Sequence, residues 1–394
     1  MTRRIYMDNS ATSFPKPRGV AEAMAHFAAE CGASAGRGAY TEARASGEIL
    51  ATCRERIARL MGAEGPERIV FTFNCSHGLN IVIRGLLNTA VAAHAITTAL
   101  DHNSVLRPYN ALAAQTGVRG EVIGCDGRTG LVDPEAIRRA IRPETRLVAV
   151  VHASNVTGTV QPVGHIAAIA REAGVPCLVD AAQSAGHLPL DVRAWGADFV
   201  AMPGHKGLLG PLGTGALYIR PGAEALLETM HEGGTGTISE TATHPTTMPD
   251  KFEVGSHNAV GLAGLAEGVR YLLERTVEAV HAVAGAHTRR FLEACESIDE
   301  LTVYGPGLSD PPACRTDVFS VRVDGWAPND LAAALEARHG ILTRPGVHCA
   351  PLAHRTLGTL PEGTTRLSFG PFTTADDVDA AAAALAELAA EGRR

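Results

Sequence analysis

The sequence predicts an α/β domain, with helices covering a mostly parallel sheet, followed by a smaller α+β domain. Between about residues 20 and 220, short apolar runs alternate with stretches whose apolar residues recur at helical spacing. Each run is bounded by turn or polar residues, as buried parallel strands are. Hydrophobic residues make up 45% of the 394 residues, which is enough for a sizeable core and excludes a disordered chain.

The individual elements follow from these patterns. Amphipathic spacing predicts helices over 20–31 and 45–61, and apolar runs predict strands over 69–73, 95–100, 147–152, 176–180 and 197–202. Further along, the same criteria predict helices over 255–273, 277–297, 330–339 and 375–391, with strands over 317–323 and 366–369. We therefore predict a large domain over 17–265 and a small domain formed by 1–16 and 266–394.

Charge and composition argue against a nucleic-acid-binding, membrane-spanning or secreted protein. The formal net charge of -7 disfavours nucleic acid and anionic membranes as partners. No apolar run approaches the roughly 20 residues that span a bilayer, and residues 1–18 lack the apolar core of a signal peptide. The eight cysteines form no zinc-type cluster, so we expect a cytoplasmic protein with reduced thiols and no metal.

Lysine usage singles out one position. The chain has 35 basic residues, but only Lys16, Lys206 and Lys251 are lysines. Lys206 lies in a glycine-rich turn directly after a predicted strand, where glycines would let the backbone approach a ligand closely. Only an amine can form a Schiff base with a carbonyl, and this chain uses arginine for nearly all of its other basic residues. A functional role for Lys206 is therefore favoured over a surface role.

Polar side chains follow other predicted strands, at the edge where α/β sheets bind ligands. Cys75 and Ser76 open a helix and could cradle a phosphate, although an ordinary helix cap fits equally well. His102 follows the next strand and could stack on a flat ligand or move protons, although a lone loop histidine more often does neither. Asn155 follows another strand and could point into a cleft, although turn chemistry also explains it. Asp180 ends a buried strand and needs a cationic partner, such as a protonated pyridine, unless it caps a helix.

Taken together, these residues resemble the fold-type I pyridoxal 5'-phosphate (PLP) enzymes of the class V aminotransferase group, which includes cysteine desulfurases and selenocysteine lyases. The resemblance covers nearly the whole chain and is carried by the order and spacing of several motifs. These motifs occupy residues 6–12, 152–155, 180–183, 204–206, 233–236, 348–352 and 365–369.

The resemblance implies a role for each cofactor-binding residue. Lys206 would bond PLP, Asp180 would pair with the pyridine nitrogen, and Gln183 would bond the ring hydroxyl. His102 would stack on the ring and move protons. The remaining contacts would come from Asn155 beside the ring oxygen, and from the Cys75 backbone, Ser76 and His205 at the phosphate. Ser256 would reach the phosphate of a partner subunit, which implies a homodimer.

The resemblance also implies how the substrate is handled. Arg366 would grip the substrate carboxylate with help from Asn155, and Arg344 is a weaker second candidate. Cys349 would take sulfur from L-cysteine, release L-alanine and carry a persulfide to a sulfur-acceptor protein. Two expected cationic neighbours, Arg344 and His348, would favour its thiolate. The short segment after Cys349 resembles the short, ordered loop found in the second group of cysteine desulfurases.

Three alternatives stay open at this stage. A selenocysteine lyase, or a C–S lyase for another cysteine derivative, would use the same pocket. A serine hydrolase is suggested by the G-x-S-x-G pattern at 32–36, but a predicted helix precedes it where the motif needs a strand. A non-catalytic relative that docks sulfur carriers is disfavoured by the intact motifs. Several residues depart from the family pattern and leave phosphate affinity and substrate detail open: Tyr40, Cys75, Pro203, Ser256 and His257.

Overall fold

A computed structural model describes residues 3–35, 38–88, 92–235 and 240–392. Gly36 and Gly236, which belong to two of the motifs above, lie outside these ranges. The strands are β1 Ile5–Tyr6, β2 Ile69–Thr72, β3 His94–Thr98, β4 Arg119–Ile123, β5 Thr145–Val151, β6 Cys177–Asp180, β7 Phe199–Pro203, β8 Gly215–Ile219, β9 Leu301–Val303, β10 Val318–Val323, β11 Ile341–Leu342, β12 Arg344–Gly346 and β13 Thr364–Ser368.

The α-helices are α1 Arg18–His26, α2 Thr41–Met61, α3 Cys75–Leu87, α4 Asn103–Thr116, α5 Pro134–Ala140, α6 Val163–Glu172, α7 Val192–Trp195, α8 Ala259–Arg275, α9 Val277–Cys295, α10 Pro328–His339, α11 Pro351–Thr356 and α12 Ala375–Gly392. A π-helical turn covers Phe27–Cys31, and 3-10 turns cover Pro66–Arg68, Ala223–Leu226 and Pro312–Cys314.

The main sheet has seven strands in the order β2-β8-β7-β6-β5-β3-β4. The pairs from β7 through β6, β5 and β3 to β4 are parallel, whereas β8 runs antiparallel to both β7 and β2. The predicted mostly parallel sheet is therefore confirmed. Two strands were missed: β8 is a buried apolar run, and β4 reads RGEVI, an edge strand without apolar alternation.

Alternate strand residues feed two apolar layers, one on each face of this sheet. Val148 and Val150 pack with α2, α6 and α8, while Leu147 and Ala149 pack with α3 and α4. Helices therefore cover both faces, as parallel strands require. The helix predicted to start at 255 begins only at Ala259, where the Asn258 side chain caps the amide of Gly261.

A second, antiparallel sheet has the order β12-β13-β10-β9, and α9, α10 and α12 pack on it around a separate apolar core. The amino-terminal segment joins this region, since β1 pairs with β11 and Asp8 bridges to Ser368. This matches an α+β arrangement. Helix α8 runs through the boundary predicted at 265, and the domain limits themselves stay predictions.

Five strand ends bring the candidate residues to one edge. The strand β2 runs the same way as β7, because both are antiparallel to β8. The segments that follow β2, β3, β5, β6 and β7 therefore leave the sheet on the same side. Within the described ranges, no helix is both long and apolar enough to cross a membrane, and no three His, Cys, Asp or Glu side chains form a potential metal site.

Candidate active site

One cavity at this edge collects eight of the twelve predicted site residues. They come from five separate strand ends: Cys75, Ser76, His102, Asn155, Asp180, Gln183, His205 and Lys206. Leu79, Ser104, Val151 and Pro203 complete part of the wall. Residues more than 100 positions apart in the sequence therefore converge on one volume, as the sheet topology requires.

Lys206 follows β7 and presents its amine to the cavity. Burial lowers the pKa of this amine, which increases its neutral, nucleophilic fraction. Among the described residues, no hydrogen bond or ion pair ends on Lys206 Nζ. The glycines beside Lys206 are required by packing within the protein itself. A Cβ on Gly204 would lie 2.1 Å from Thr214 Oγ1, and one on Gly207 would lie 2.2 Å from the Ala185 carbonyl oxygen.

Asp180 ends β6 and is only 2% exposed. Its Oδ1 accepts hydrogen bonds from the Ala182 amide at 2.9 Å and from Cys75 Sγ at 3.4 Å. Burial, followed by the negative charge of Asp180, raises the pKa of the Cys75 thiol well above its usual range. Cys75 therefore stays a neutral donor to Asp180, a side-chain role that the sequence did not suggest.

The start of α3 offers donors for an anion. Asn74 caps the helix through its Oδ1, which accepts from the His77 amide, and the preceding amides of Cys75 and Ser76 face the cavity end of the helix. Ser76 Oγ lies 2.6 Å from Ser104 Oγ. His205 Nδ1 is buried without a hydrogen-bond partner among the described residues. These groups fit a phosphate.

His102 caps α4 with its own ring. Its Nδ1 accepts from the Ser104 amide at 3.0 Å, so the neutral ring carries its proton on Nε2. Burial lowers the pKa of His102 to about 4, which keeps the ring neutral near pH 7. Ser104 Oγ lies 2.9 Å from the same Nδ1 and links His102 to Ser76.

Two arginines lie directly opposite each other on paired strands beside the cavity. Arg344 on β12 is the register partner of Arg366 on β13. Arg366 is 1% exposed, and its Nη2 donates to Asp8 Oδ1 at 2.7 Å while its Nη1 donates to the Asn155 carbonyl oxygen at 3.2 Å. Arg366 Nε is buried without a partner among the described residues. Two guanidinium groups with a spare donor form an anion-binding corner.

Cys349 lies in the short connection 347–350 between β12 and α11. Arg344 Nη2 lies 4.0 Å from its sulfur. The second predicted cation is wrong: His348 is 3% exposed, and burial lowers its pKa to about 3, so its ring is neutral near pH 7. Arg344 therefore supplies positive charge directly beside Cys349, and Arg366 adds to it electrostatically. Arg344 itself begins the strand β12.

Two predicted residues have other surroundings in this single chain. Ser256 is exposed and lines two cavities apart from the one that contains Lys206. Gln183 lines the Lys206 cavity, but its Nε2 donates to the Ser10 carbonyl oxygen at 3.0 Å, so its amide oxygen is the group left for a ligand.

Sequence reasoning missed three residues that organise the site. Asp8 pairs with Arg366, and Ser104 bridges Ser76 to His102. Asp8 lies inside the motif at 6–12 but meets a partner 358 positions away, and Ser104 meets Ser76 from another helix. Lys16 Nζ donates to the His205 carbonyl oxygen at 2.7 Å and supports the turn that carries Lys206. The rarity of lysine was the signal that could have identified it.

Comparison with known protein families identifies the family of this chain. A family model described as aminotransferase class-V matches residues 5–381. The chain belongs to the class-V aminotransferase family. Within this family it resembles a probable cysteine desulfurase of Methanothermobacter thermautotrophicus, with 36% identity over 98% of this chain and 95% of the relative. A probable cysteine desulfurase of Synechocystis is 33% identical over 95% of this chain and 88% of the relative.

Solved structures agree with the class-V assignment. An apo cysteine desulfurase from Thermococcus onnurineus superposes with a TM-score of 0.91 and 34% identity, covering 98% of this chain and 95% of the other. A cysteine desulfurase from Escherichia coli gives a TM-score of 0.87 at 27% identity, covering 98% and 94%. The predicted class-V fold and the predicted resemblance to cysteine desulfurases are therefore confirmed. The serine-hydrolase alternative is excluded.

Proposed function

We propose that this chain is a PLP-dependent cysteine desulfurase that converts L-cysteine to L-alanine and holds the sulfur as a persulfide on Cys349. The observation that carries the proposal is one juxtaposition. The Lys206 amine shares a cavity with Asp180 and the start of α3, while Asn155 links that cavity to the turn that carries Cys349. A cofactor-bonding amine and a sulfur nucleophile are thus built into one site.

The residues of the cavity fit PLP. The Lys206 amine would bond the cofactor carbonyl, and the Asp180 carboxylate would pair with the pyridine nitrogen. The amides of Cys75 and Ser76 would hold the phosphate together with His205, whose buried Nδ1 has no other partner among the described residues. When bound, PLP supplies an electron-withdrawing ring that stabilises negative charge on the substrate carbon.

The substrate would bind at the anion-binding corner formed by Arg344 and Arg366. The carboxylate of an amino acid suits the unpartnered Arg366 Nε and the adjacent Arg344, and Asn155 fixes the Arg366 guanidinium through its carbonyl oxygen. His102 is neutral and carries its proton on Nε2, while Ser104 holds Nδ1, so Nε2–H is the group that can donate to a bound ligand. This arrangement supports the predicted role of His102 in moving protons.

Sulfur transfer would take place at Cys349. Its sulfur attacks the sulfur of L-cysteine, so an S–S bond forms as the substrate C–S bond breaks. The electron pair of the broken bond stays with the carbon, which gains the proton that Cys349 loses, and L-alanine leaves. Cys349 then carries the persulfide, and a second thiol of an acceptor protein can remove its outer sulfur. Arg344, 4.0 Å from the sulfur, stabilises negative charge there.

The proposed enzyme is a homodimer that works in the cytoplasm. Ser256 does not line the Lys206 cavity of its own chain, so the proposed contact of Ser256 with a phosphate would be made in a partner. Phe73, 60% exposed, lines one of the Ser256 cavities, and such a large exposed aromatic side chain suits an interface. Both features support a two-fold dimer.

The cofactor is tested on the purified protein. It should absorb visible light after PLP is added, and borohydride treatment followed by peptide mapping should place the cofactor on Lys206. A protein that takes up no PLP would contradict the proposal, and so would an adduct on Lys16 or Lys251.

The sulfur step is tested by Cys349→Ser with Cys125→Ser as control, because Cys125 is a half-buried thiol that packs near α11. Cys349→Ser should keep PLP, while alanine release from cysteine falls to background and Cys125→Ser stays active. Desulfuration at the wild-type rate by Cys349→Ser would refute the persulfide role. Selenocysteine as a parallel substrate tests the alternative: a lyase would cleave it far better than cysteine and would not need Cys349.

A further inference from the structure

A line of three buried side chains lies behind the turn that carries Cys349. His348 Nε2 lies 2.9 Å from the Arg344 carbonyl oxygen, and His348 Nδ1 lies 3.3 Å from His354 Nε2. His354 Nδ1 lies 2.7 Å from Thr359 Oγ1. His354 and Thr359 are 0% exposed and His348 is 3% exposed. None of these three residues lines the Lys206 cavity.

The direction of every bond in this line follows from its last acceptor. A carbonyl oxygen can only accept, so His348 Nε2 carries the proton and His348 Nδ1 is an acceptor. His354 Nε2 must then donate, which leaves His354 Nδ1 as the acceptor for the Thr359 hydroxyl. Both rings are neutral near pH 7, since burial lowers the pKa of His348 to about 3 and that of His354 to about 4.

The backbone of the turn at His348 and Cys349 is in an unfavourable conformation and needs support from its neighbours. His348 and Cys349 have φ angles of 50° and 58°, in the left-handed region that non-glycine residues rarely occupy. Asn155 Nδ2 donates to the His348 carbonyl oxygen at 2.6 Å, and the Asn103 amide donates to the Cys349 carbonyl oxygen at 2.8 Å. The ring of His348 adds a third hydrogen bond, to the carbonyl oxygen of Arg344. The side chain of Arg344 in turn approaches the sulfur of Cys349.

We propose that His354 is a positioning residue for Cys349: by donating from Nε2 to His348, it holds the left-handed turn and the Arg344 backbone in the arrangement that sulfur transfer needs. The role of Cys349 in sulfur transfer rests on the proposed function, whereas the support of the turn does not. Thr359 completes the same line, since its hydroxyl oxygen lies 2.7 Å from His354 Nδ1.

Two variants of one residue separate this role from simple loss of packing. His354→Gln places an amide nitrogen near the position of Nε2 and can still donate to His348. His354→Asn places its amide near the position of Nδ1 and cannot reach His348. In both, the Thr359 hydroxyl keeps an acceptor in the main-chain carbonyl of residue 354, 3.3 Å away. The matched controls are His94→Gln and His94→Asn, because His94 is buried and bonds a threonine hydroxyl far from the site.

The first measurement is hydrogen–deuterium exchange of the 344–356 peptide in the holoenzyme. Exchange should be about tenfold faster in His354→Asn, as expected for loss of about one buried hydrogen bond, and close to wild type in His354→Gln. Equal exchange in the two variants would overturn the inference. If His354→Asn does not fold, Thr359→Val against Thr359→Ser makes the same comparison at the other end of the line.

The second measurement is the rate at which the Cys349 persulfide appears after cysteine is added. It should fall about tenfold in His354→Asn, while His354→Gln recovers most of the rate and the KM for cysteine stays the same in both. A rise in KM without a fall in rate would contradict positioning of Cys349. If the wild type forms no persulfide, the proposed function fails, and the exchange comparison still decides whether His354 supports the turn.

Discussion

Arg366→Lys tests how the site grips its substrate. In the wild type, Nη2 binds Asp8, Nη1 binds the Asn155 carbonyl oxygen, and the buried Nε has no partner among the described residues. A lysine ammonium can keep the ion pair with Asp8, because it needs only one donor position. It cannot also supply the planar pair of donors that a carboxylate binds. The substitution therefore removes the substrate contact while it keeps the buried charge compensated.

The size of the effect follows from the bonds lost. A hydrogen bond to a charged group contributes about 1.5–3 kcal/mol, and about 1.4 kcal/mol corresponds to a factor of ten. Loss of one such bond to the substrate carboxylate should raise the KM for L-cysteine about 10- to 100-fold. The value of kcat should change little, since Lys206, His102 and Cys349 do not contact the substituted group directly.

The assay measures alanine release against cysteine concentration, together with a titration of the cofactor band with cysteine. Arg315→Lys is the matched control, because Arg315 is 5% exposed and also donates to backbone carbonyls, but lies outside the Lys206 cavity. It should leave KM unchanged. An Arg366→Lys enzyme with an unaltered KM and a reduced kcat would refute carboxylate binding by Arg366.

Three further outcomes are expected. Asp8→Asn should lower the stability of the fold by about 2–4 kcal/mol, measured by chemical denaturation against Asp8→Glu, because it leaves the buried Arg366 charge without its counterion; an unchanged midpoint would contradict this. His152 is 6% exposed and its pKa is lowered to about 4 by burial, so its contribution to stability is complete above about pH 6.5 and is lost as the pH falls toward 4. The melting temperature of His152→Gln should accordingly fall less than that of wild type between pH 7 and 4.5, and parallel curves would exclude His152 as a cause. Light scattering should give roughly twice the mass of one chain, and a monomer with full activity would rule out the proposed contact of Ser256 with a partner.

Local sequence patterns determined the class of fold and most of the cavity. Apolar runs and helical spacing depend on neighbouring residues, so the alternation of strands and helices is visible in the amino-acid sequence itself. The same is true of Lys206 and Asp180, because Asp180 ends a buried strand, Lys206 follows one, and the ends of parallel strands meet at one edge. The strand β8 carries the same local signal, an apolar run, but its antiparallel pairing with β2 and β7 is set by the sheet and not by its own residues.

Only the tertiary structure decided which groups are charged and which are paired. His348 appeared cationic in the sequence, but its burial among other groups makes the ring neutral, and burial depends on the whole fold. Arg366 meets Asp8 across 358 positions of sequence, and Cys75 meets Asp180 across 105. Such pairs leave no local pattern, because a hydrogen bond depends on the final separation of two atoms and not on the spacing of residues along the chain.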